Sequence, residues 1–172
     1  YPKTITNIPG IIEAENFNFG NLGNSYYDAT PSSNSGGLYR TNHSVDIGSV
    51  NDNGSNYAIG WVSTGEWLEY IVSIQESVDY DIKFRISAPN NTGKIQLYLD
   101  GELLQGLISI PSTTDYSIFQ DFVVTRSLPA GIHVLWIHVS TAGFNINNIS
   151  FTKTNHAPTN VTLSSTSVNE NL

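Results

Sequence analysis

Two carboxylates two residues apart are the first place where this chain could do chemistry. In Ile11-Ile-Glu-Ala-Glu-Asn16 the spacing predicts a short strand over 11–16. The two-residue period of extended chain would put Glu13 and Glu15 on one face of it. Such a pair can act as acid and base across a glycosidic bond, because glycosidases hold their carboxyls about 5–9.5 Å apart. Catalytic carboxylates, however, normally come from different strands around a cleft. Calcium is the better use: hard cations take carboxylate, amide and backbone oxygens, and Asn147, on the last predicted strand, carries an amide. Solvated carboxylates at a sheet edge are the remaining reading.

Aromatic residues at loop ends offer a second chemistry. Trp61 stands at a strand end beside the turn Ser63-Thr64-Gly65, Tyr116 lies in Pro111-Ser-Thr-Thr-Asp-Tyr-Ser-Ile-Phe119, and Asn145 lies in the amide-rich Gly143-Phe-Asn-Ile-Asn-Asn148. A sugar has an apolar face of C–H groups and a rim of hydroxyls, so a ring stacks on the first and an amide bonds the second. Each of these residues alone is equally at home in packing. Trp67, inside a strand, reads as packing or as cover for a sheet face, and Trp136, alternating with Val134 and His138, reads as core. His43, His133, His138 and His156 show no ligand spacing; the five-residue step from His133 to His138 points them to opposite faces of one strand. No nucleophile elbow, phosphate loop or dinucleotide fingerprint is present.

The elements that must position these groups are strands. Tyr57–Val72 reads as two strands joined by the turn at Ser63-Thr64-Gly65, with Ala58, Gly60 and Val62 alternating against Tyr57, Ile59 and Trp61. The run from Phe17 to Gly54 is polar and rich in Gly, Asn and Ser, so it reads as loop with short extended pieces near Tyr26 and Val45. A loop of that length in a compact domain is functional or anchored by something other than a core. Val78, Tyr80, Ile82, Phe84 and Ile86 alternate with Asp79, Asp81, Lys83 and Arg85, which predicts a strand with one wet face. Ile95–Leu99 leads through Asp100-Gly101, a two-residue hairpin signal, into Glu102–Leu107. Phe119–Thr125 and Ile132–Ser140, joined at Pro129-Ala-Gly131, and Ile146–Thr152 complete an all-β chain. Short strands punctuated by turns predict an antiparallel β-sandwich of jelly-roll type.

Composition narrows the partners. Fifteen acidic against 7 basic residues give a formal charge of −8, which excludes a basic stripe for a phosphate backbone and hence a nucleic-acid partner. There is no cysteine, so thiol chemistry, disulfides and cysteine metal sites are excluded. No apolar run reaches the roughly 18 residues of a membrane helix. The start at Tyr1-Pro2-Lys3, without an initiator methionine, reads as a piece of a longer polypeptide whose export signal lies upstream.

In order, Ile-Glu-Ala-Glu, Gly-Gly followed by Tyr-Arg, Ile-Gly-Trp-Val-x-x-Gly-Glu-Trp-Leu-Glu-Tyr, Leu-Asp-Gly, Pro-Ser-Thr-x-x-Tyr, Leu-Pro-Ala-Gly-x-His and Phe-Asn-Ile-Asn-x-Ile form a pattern that resembles family 6 carbohydrate-binding modules. The resemblance runs over residues 8–153, leaving 1–7 as a leading segment. Residues 154–172 resemble a linker and the opening of a bacterial cadherin-like repeat. The family implies a β-sandwich without catalysis of its own, a structural calcium, and attachment to a polysaccharide-degrading enzyme. It implies a saccharide site at one rim, with Trp61 at a position often Tyr in the family, Tyr116 where many members carry Trp, and Asn145 at the bonding amide. It implies calcium ligands at Glu13, Glu15, Asn147, where many members have Asp, and the backbone carbonyl of Arg40. Relatives that bind on a sheet face suggest Trp67, Glu69 and Tyr98 as a second surface.

The resulting expectation is a monomeric, non-catalytic module of a secreted or surface-displayed bacterial protein, tethered to a catalytic domain and holding it on a polysaccharide. A β-1,3-glucan of laminarin type is the first choice, with agarose and xylan next. A structural or adhesive sandwich and a small glycosidase using Glu13 and Glu15 are the rivals from other classes.

Overall fold

The computed structural model describes residues 5–32, 34–37 and 39–154. The cadherin-like start falls on 155–172, outside the described residues. Twelve strands among the described residues form two sheets. Across the first run β1 (Thr6–Ile8), β6 (Trp67–Ile74), β11 (Gly131–Thr141), β8 (Lys94–Leu99) and β9 (Glu102–Ser109), with β3 (Tyr26–Tyr27) also paired to β6. Across the second run β10 (Gln120–Leu128), β7 (Val78–Ser87), β12 (Asn145–Lys153), β5 (Ser55–Ile59) and β4 (Ile47–Asp52), with β2 (Gly10–Glu13) also paired to β12. Only β1 and β6 run parallel among these pairs.

Alternation builds the core between the sheets. Leu68, Tyr70, Val72 and Ile74 of β6 face inward against Ile82, Phe84 and Ile86 of β7, joined by Leu135, Ile137 and Val139 of β11 and by Ile149 and Phe151 of β12. Each such side chain contributes about 1.5–3 kcal/mol by leaving water. Phe84 also stacks on Phe122 of β10 at 5.0 Å. The wet faces of β7 and β10 carry charge, as the alternation of Val78–Ile86 requires.

Two hairpins use the same turn chemistry. Asp100 and Gly101 have φ of 52° and 83°, and Asn53 and Gly54 have φ of 50° and 85°. Both central residues at positive φ match the right-handed twist of the flanking strands, which is why Asn-Gly and Asp-Gly recur there. Among the described residues of 17–54 the strands are β3 and β4, so the segment is mostly loop with extended pieces beside Tyr26 and just after Val45, the second running into the Asn53-Gly54 hairpin.

Four expectations are corrected. The strand expected over 11–16 ends at Glu13, and Ala14–Asn16 forms a 3₁₀ turn, so Glu13 and Glu15 do not share a strand face. The strands flanking Ser63-Thr64-Gly65 are not a hairpin: β5 belongs to one sheet and β6 to the other, and the segment between them crosses the rim of the sandwich. The expected alternation before that turn fails as well, because Ala58, Ile59 and Gly60 are buried in succession. Trp136 is not core; it lies on the outer face of the first sheet, half-exposed and stacked on Trp67 at 5.0 Å with ring planes 9° apart.

Candidate functional site

At the rim where β5 leaves the second sheet, three neighbouring strand ends lie side by side. Ile146 of β12 pairs with Ile59 of β5 and with Ile86 of β7, and Asn145 pairs with Ser87. The segment after β5, the start of β12 and the loop from β9 to β10 therefore meet over one sheet end. Between them and β4 lies a cleft of about 690 Å³, lined by Gly48–Asp52, Ala58, Gly60–Val62, Asp115–Ser117, Phe119 and Gly143–Asn145. That volume is in the range of a small-ligand site.

Trp61 forms one wall. It holds a φ of 48°, a conformation that costs a bulky residue about 1–3 kcal/mol and that persists only where the surroundings impose it. The result is a ring that is 60 % exposed and lies over Gly48 of β4. Tyr116, 49 % exposed, lines the same cleft from the β9–β10 loop. Asn145 lies between the elements carrying these rings: its Nδ2 donates to Ser87 Oγ at 3.1 Å and to the Tyr116 carbonyl at 3.3 Å. Its Oδ1 packs beside Gly60, where an added Cβ would stand 2.9 Å away. The three residues expected to recognise a sugar thus line one cleft. Among the described residues its charged lining is Asp52 and Asp115, so the side-chain charge at the cleft is acidic.

Glu13 and Glu15 lie elsewhere, at the edge where the 3₁₀ turn packs on β5 and β12. Glu15 is 5 % exposed, and its buried Oε2 has no hydrogen-bond partner among the described residues. Burial, then the nearby Glu13 carboxylate, pushes its acid group up to about 7. Burial also raises Glu13, partly offset by the Ser55 hydroxyl. Asn147 is fully buried because β12 bulges there: the register slips between Ile146 and Asn148, so Ile146 and Asn147 both turn inward. The bulge is what brings an amide into the interior beside a strand that pairs with Glu13 through Asn148. Asn147 Nδ2 donates to Asp52 Oδ2 at 2.7 Å, while its Oδ1 accepts from Asn148 at 3.3 Å. The Arg40 carbonyl accepts from the His43 N–H at 2.9 Å, while the Arg40 guanidinium is buried over the Phe17 ring and donates to the carbonyls of Glu15, Phe17 and Asn18. Two electrostatically opposed carboxylates and an orphaned buried oxygen fit a hard, oxygen-seeking cation.

The sheet-face residues Trp67, Glu69 and Tyr98 all lie on the outer face of the first sheet, together with Trp136. Three residues that organise the cleft carried no sequence signal: Gly48, under Trp61, and the buried hydroxyls Ser87 and Thr113 behind Tyr116.

Two sheets packed face to face, with a rim cleft walled by exposed rings, define a β-sandwich with an open cleft at its edge. The profile of carbohydrate-binding module family 6 matches residues 15–153, and the chain belongs to that family. Among solved structures, it is similar to the carbohydrate-binding module of Cellvibrio mixtus lichenase 5A in complex with cellotriose, at 26 % identity and a TM-score of 0.65 over 86 % of this chain and 98 % of that one. It is also similar to the C-terminal family 6 module of LamC, a marine laminarinase of Zobellia galactanivorans, at 23 % identity and a TM-score of 0.65 over 83 % and 98 % of the two chains. Among curated proteins, it is 27 % identical over 117 residues to the clotting factor G alpha subunit of Tachypleus tridentatus, covering 67 % of this chain and 17 % of that subunit. The chain spans under a fifth of the length of the curated relatives it matches.

Proposed function

We propose that the chain is a non-catalytic module that holds a secreted or surface-displayed polysaccharide-degrading enzyme on its substrate, and that the rim cleft is the saccharide site. The observation that carries this is the convergence of Trp61, Tyr116 and Asn145 on one cleft without a basic residue. One ring stacks on the C–H face of a sugar, the second flanks it, and the amide bonds a hydroxyl. A shallow site of this kind binds in the range of about 1 μM to 1 mM. Tethering then raises the effective concentration of substrate at the enzyme. A neutral β-1,3-glucan of laminarin type is the first choice, with agarose and xylan next. Isothermal titration against laminarin, agarose and xylan oligosaccharides tests it, and silence across the panel would leave only a sandwich without a saccharide role.

Glu13, Glu15, Asn147 and the Arg40 carbonyl are the residues that would hold a structural calcium. The ion would supply the positive charge that the two carboxylates lack. A glycosidase mechanism through Glu13 and Glu15 is disfavoured by place: neither lines the cleft, and Glu15 is buried.

A second binding surface has its own observation. On the outer face of the first sheet Trp67 and Trp136 stack, Tyr98 lies 6.5 Å from Trp136, and Tyr27, 41 % exposed, pairs opposite Trp67. An aromatic band of this kind would support a polysaccharide chain lying along the sheet.

A further inference from the structure

The recognising amide is not free to choose which end it shows a ligand. Ser87, fully buried at the end of β7, donates its hydroxyl proton to the Tyr116 carbonyl at 2.7 Å. Its lone pairs then accept from Asn145 Nδ2 at 3.1 Å, and the Tyr116 carbonyl lies 3.3 Å from the same nitrogen, so one N–H is shared between these two neighbouring oxygens. A carbonyl only accepts, which fixes the amide nitrogen on this side. One amide proton is therefore held inside the protein, and the amide nitrogen, not Oδ1, faces the Tyr116 carbonyl. Asn145 Oδ1 receives no protein donor among the described residues, and Asn145 lines the cleft.

The acceptor that orients the amide is itself held in place. Thr113, 1 % exposed, donates its N–H to the Ala88 carbonyl at 2.7 Å, and its hydroxyl accepts from the Ala88 N–H at 2.8 Å. Thr114 follows at a φ of 74°, a strained position for a β-branched residue, with its N–H on Ser112 Oγ at 3.1 Å. Two buried hydroxyls, Ser87 and Thr113, thus clamp the Tyr116 loop onto the end of β7.

We propose that Ser87 is a positioning residue that fixes which way the Asn145 amide faces and presents its Oδ1 to the cleft as an acceptor, so that the site selects a sugar hydroxyl acting as a hydrogen-bond donor at that point. This rests on the saccharide reading of the cleft. A hydroxyl that is methylated, sulfated or replaced by fluorine has no proton to give and is rejected there.

The first test needs no ligand: in the free chain one side-chain amide proton of Asn145 exchanges slowly with solvent, and Ser87→Ala speeds that exchange while the melting curve stays cooperative. Fast exchange in the unsubstituted chain overturns the proposal. The second test titrates laminaritriose and its monodeoxy and monodeoxyfluoro derivatives. At the hydroxyl read by Asn145, the deoxy and fluoro sugars lose affinity equally, since neither donates. A fluoro sugar that retains affinity where the deoxy sugar loses it would show an accepting hydroxyl and overturn the proposal alone. No binding of laminaritriose itself overturns its application to this glucan, and with it the preference stated above, whatever the exchange data show. Ser87→Ala should weaken laminaritriose about fivefold to tenfold, the scale of one hydrogen bond. An unchanged affinity in Ser87→Ala, with the exchange of the Asn145 amide also unchanged, would overturn the proposal.

Discussion

Trp61 rests on Gly48. A Cβ built at Gly48 would stand 3.1 Å from Trp61 Cζ3 and 3.3 Å from Cη2, closer than side chains tolerate without shifting. The ring is set on one side by its own positive φ and on the other by the absence of a side chain beneath it.

Gly48→Ala should therefore tilt the ring without disturbing the core. The expected outcome is a saccharide affinity about 3- to 10-fold weaker, the scale of a stacking contact. A changed Trp emission and a nearly unchanged melting temperature should accompany it. Unchanged affinity with a shifted ring would mean that the stack contributes nothing.

The calcium reading makes a signed prediction about pH. In the metal-free domain Glu15 holds its proton more tightly folded than unfolded, with the folded value at about 7 against 4.5. The folded state then binds more protons than the unfolded chain between these values. Stability should fall as pH rises through that window, by at most on the order of 3 kcal/mol. Burial raises Glu13, Asp46 and Glu66 in the same direction. Calcium should flatten the dependence and raise the melting temperature, and Glu15→Gln should remove the response to calcium. A melting curve indifferent to both calcium and chelator would contradict the site.

How much of this was legible in the chain follows from where alternation was clean. Val78–Ile86 and Ile95–Leu99 announce themselves because one face is apolar and the other charged or amide-bearing, and Asp100-Gly101 fixes the turn. β4 was legible only as a short extended piece near Val45, because its outward residues, Ser49 and Asn51, are as polar as a loop, although Asn53-Gly54 carried the same signal as Asp100-Gly101. Trp136 was misplaced because both faces of β11 are bulky: Leu135, Ile137 and Val139 face the core, while Trp136 covers the outside. The bulge at Asn147 is visible only afterwards, in the change of inward parity from Phe144 and Ile146 to Ile149 and Phe151. Trp61, Tyr116 and Asn145 could be picked out as loop-end residues. The roles of Gly48 and Ser87 depend on long-range neighbours that no local pattern encodes.

One tie joins the cleft wall to the sheet behind it. Arg85 of β7 forks onto Asp52, Nε to Oδ2 at 2.8 Å and the second nitrogen to Oδ1 at 2.6 Å, and Asp52 also accepts from Asn147. The bonds from Arg85 hold the Asp52 acid below its ordinary value. Its contribution is present above the unfolded value and is lost as pH falls through the folded one. Arg85→Lys keeps the charge but not the fork, and should cost about 1–2 kcal/mol in denaturant unfolding. A cost near zero would make the fork a solvent-screened pair.

The aromatic band on the first sheet separates from the cleft by mutation. Trp136→Ala should leave affinity for short oligosaccharides within about twofold, as for independent sites, while reducing retention on insoluble polysaccharide if the band carries a chain. A large loss for short oligosaccharides would move the principal site to the sheet face.

The most direct measurement is calorimetric titration of residues 1–154 with laminarin oligosaccharides, beside Trp61→Ala and Asn145→Ala, with circular dichroism on each. The expected result is binding by the unsubstituted chain, no measurable heat from either variant, and three superimposable spectra. Binding that survives both substitutions in folded protein would contradict the rim cleft as the saccharide site.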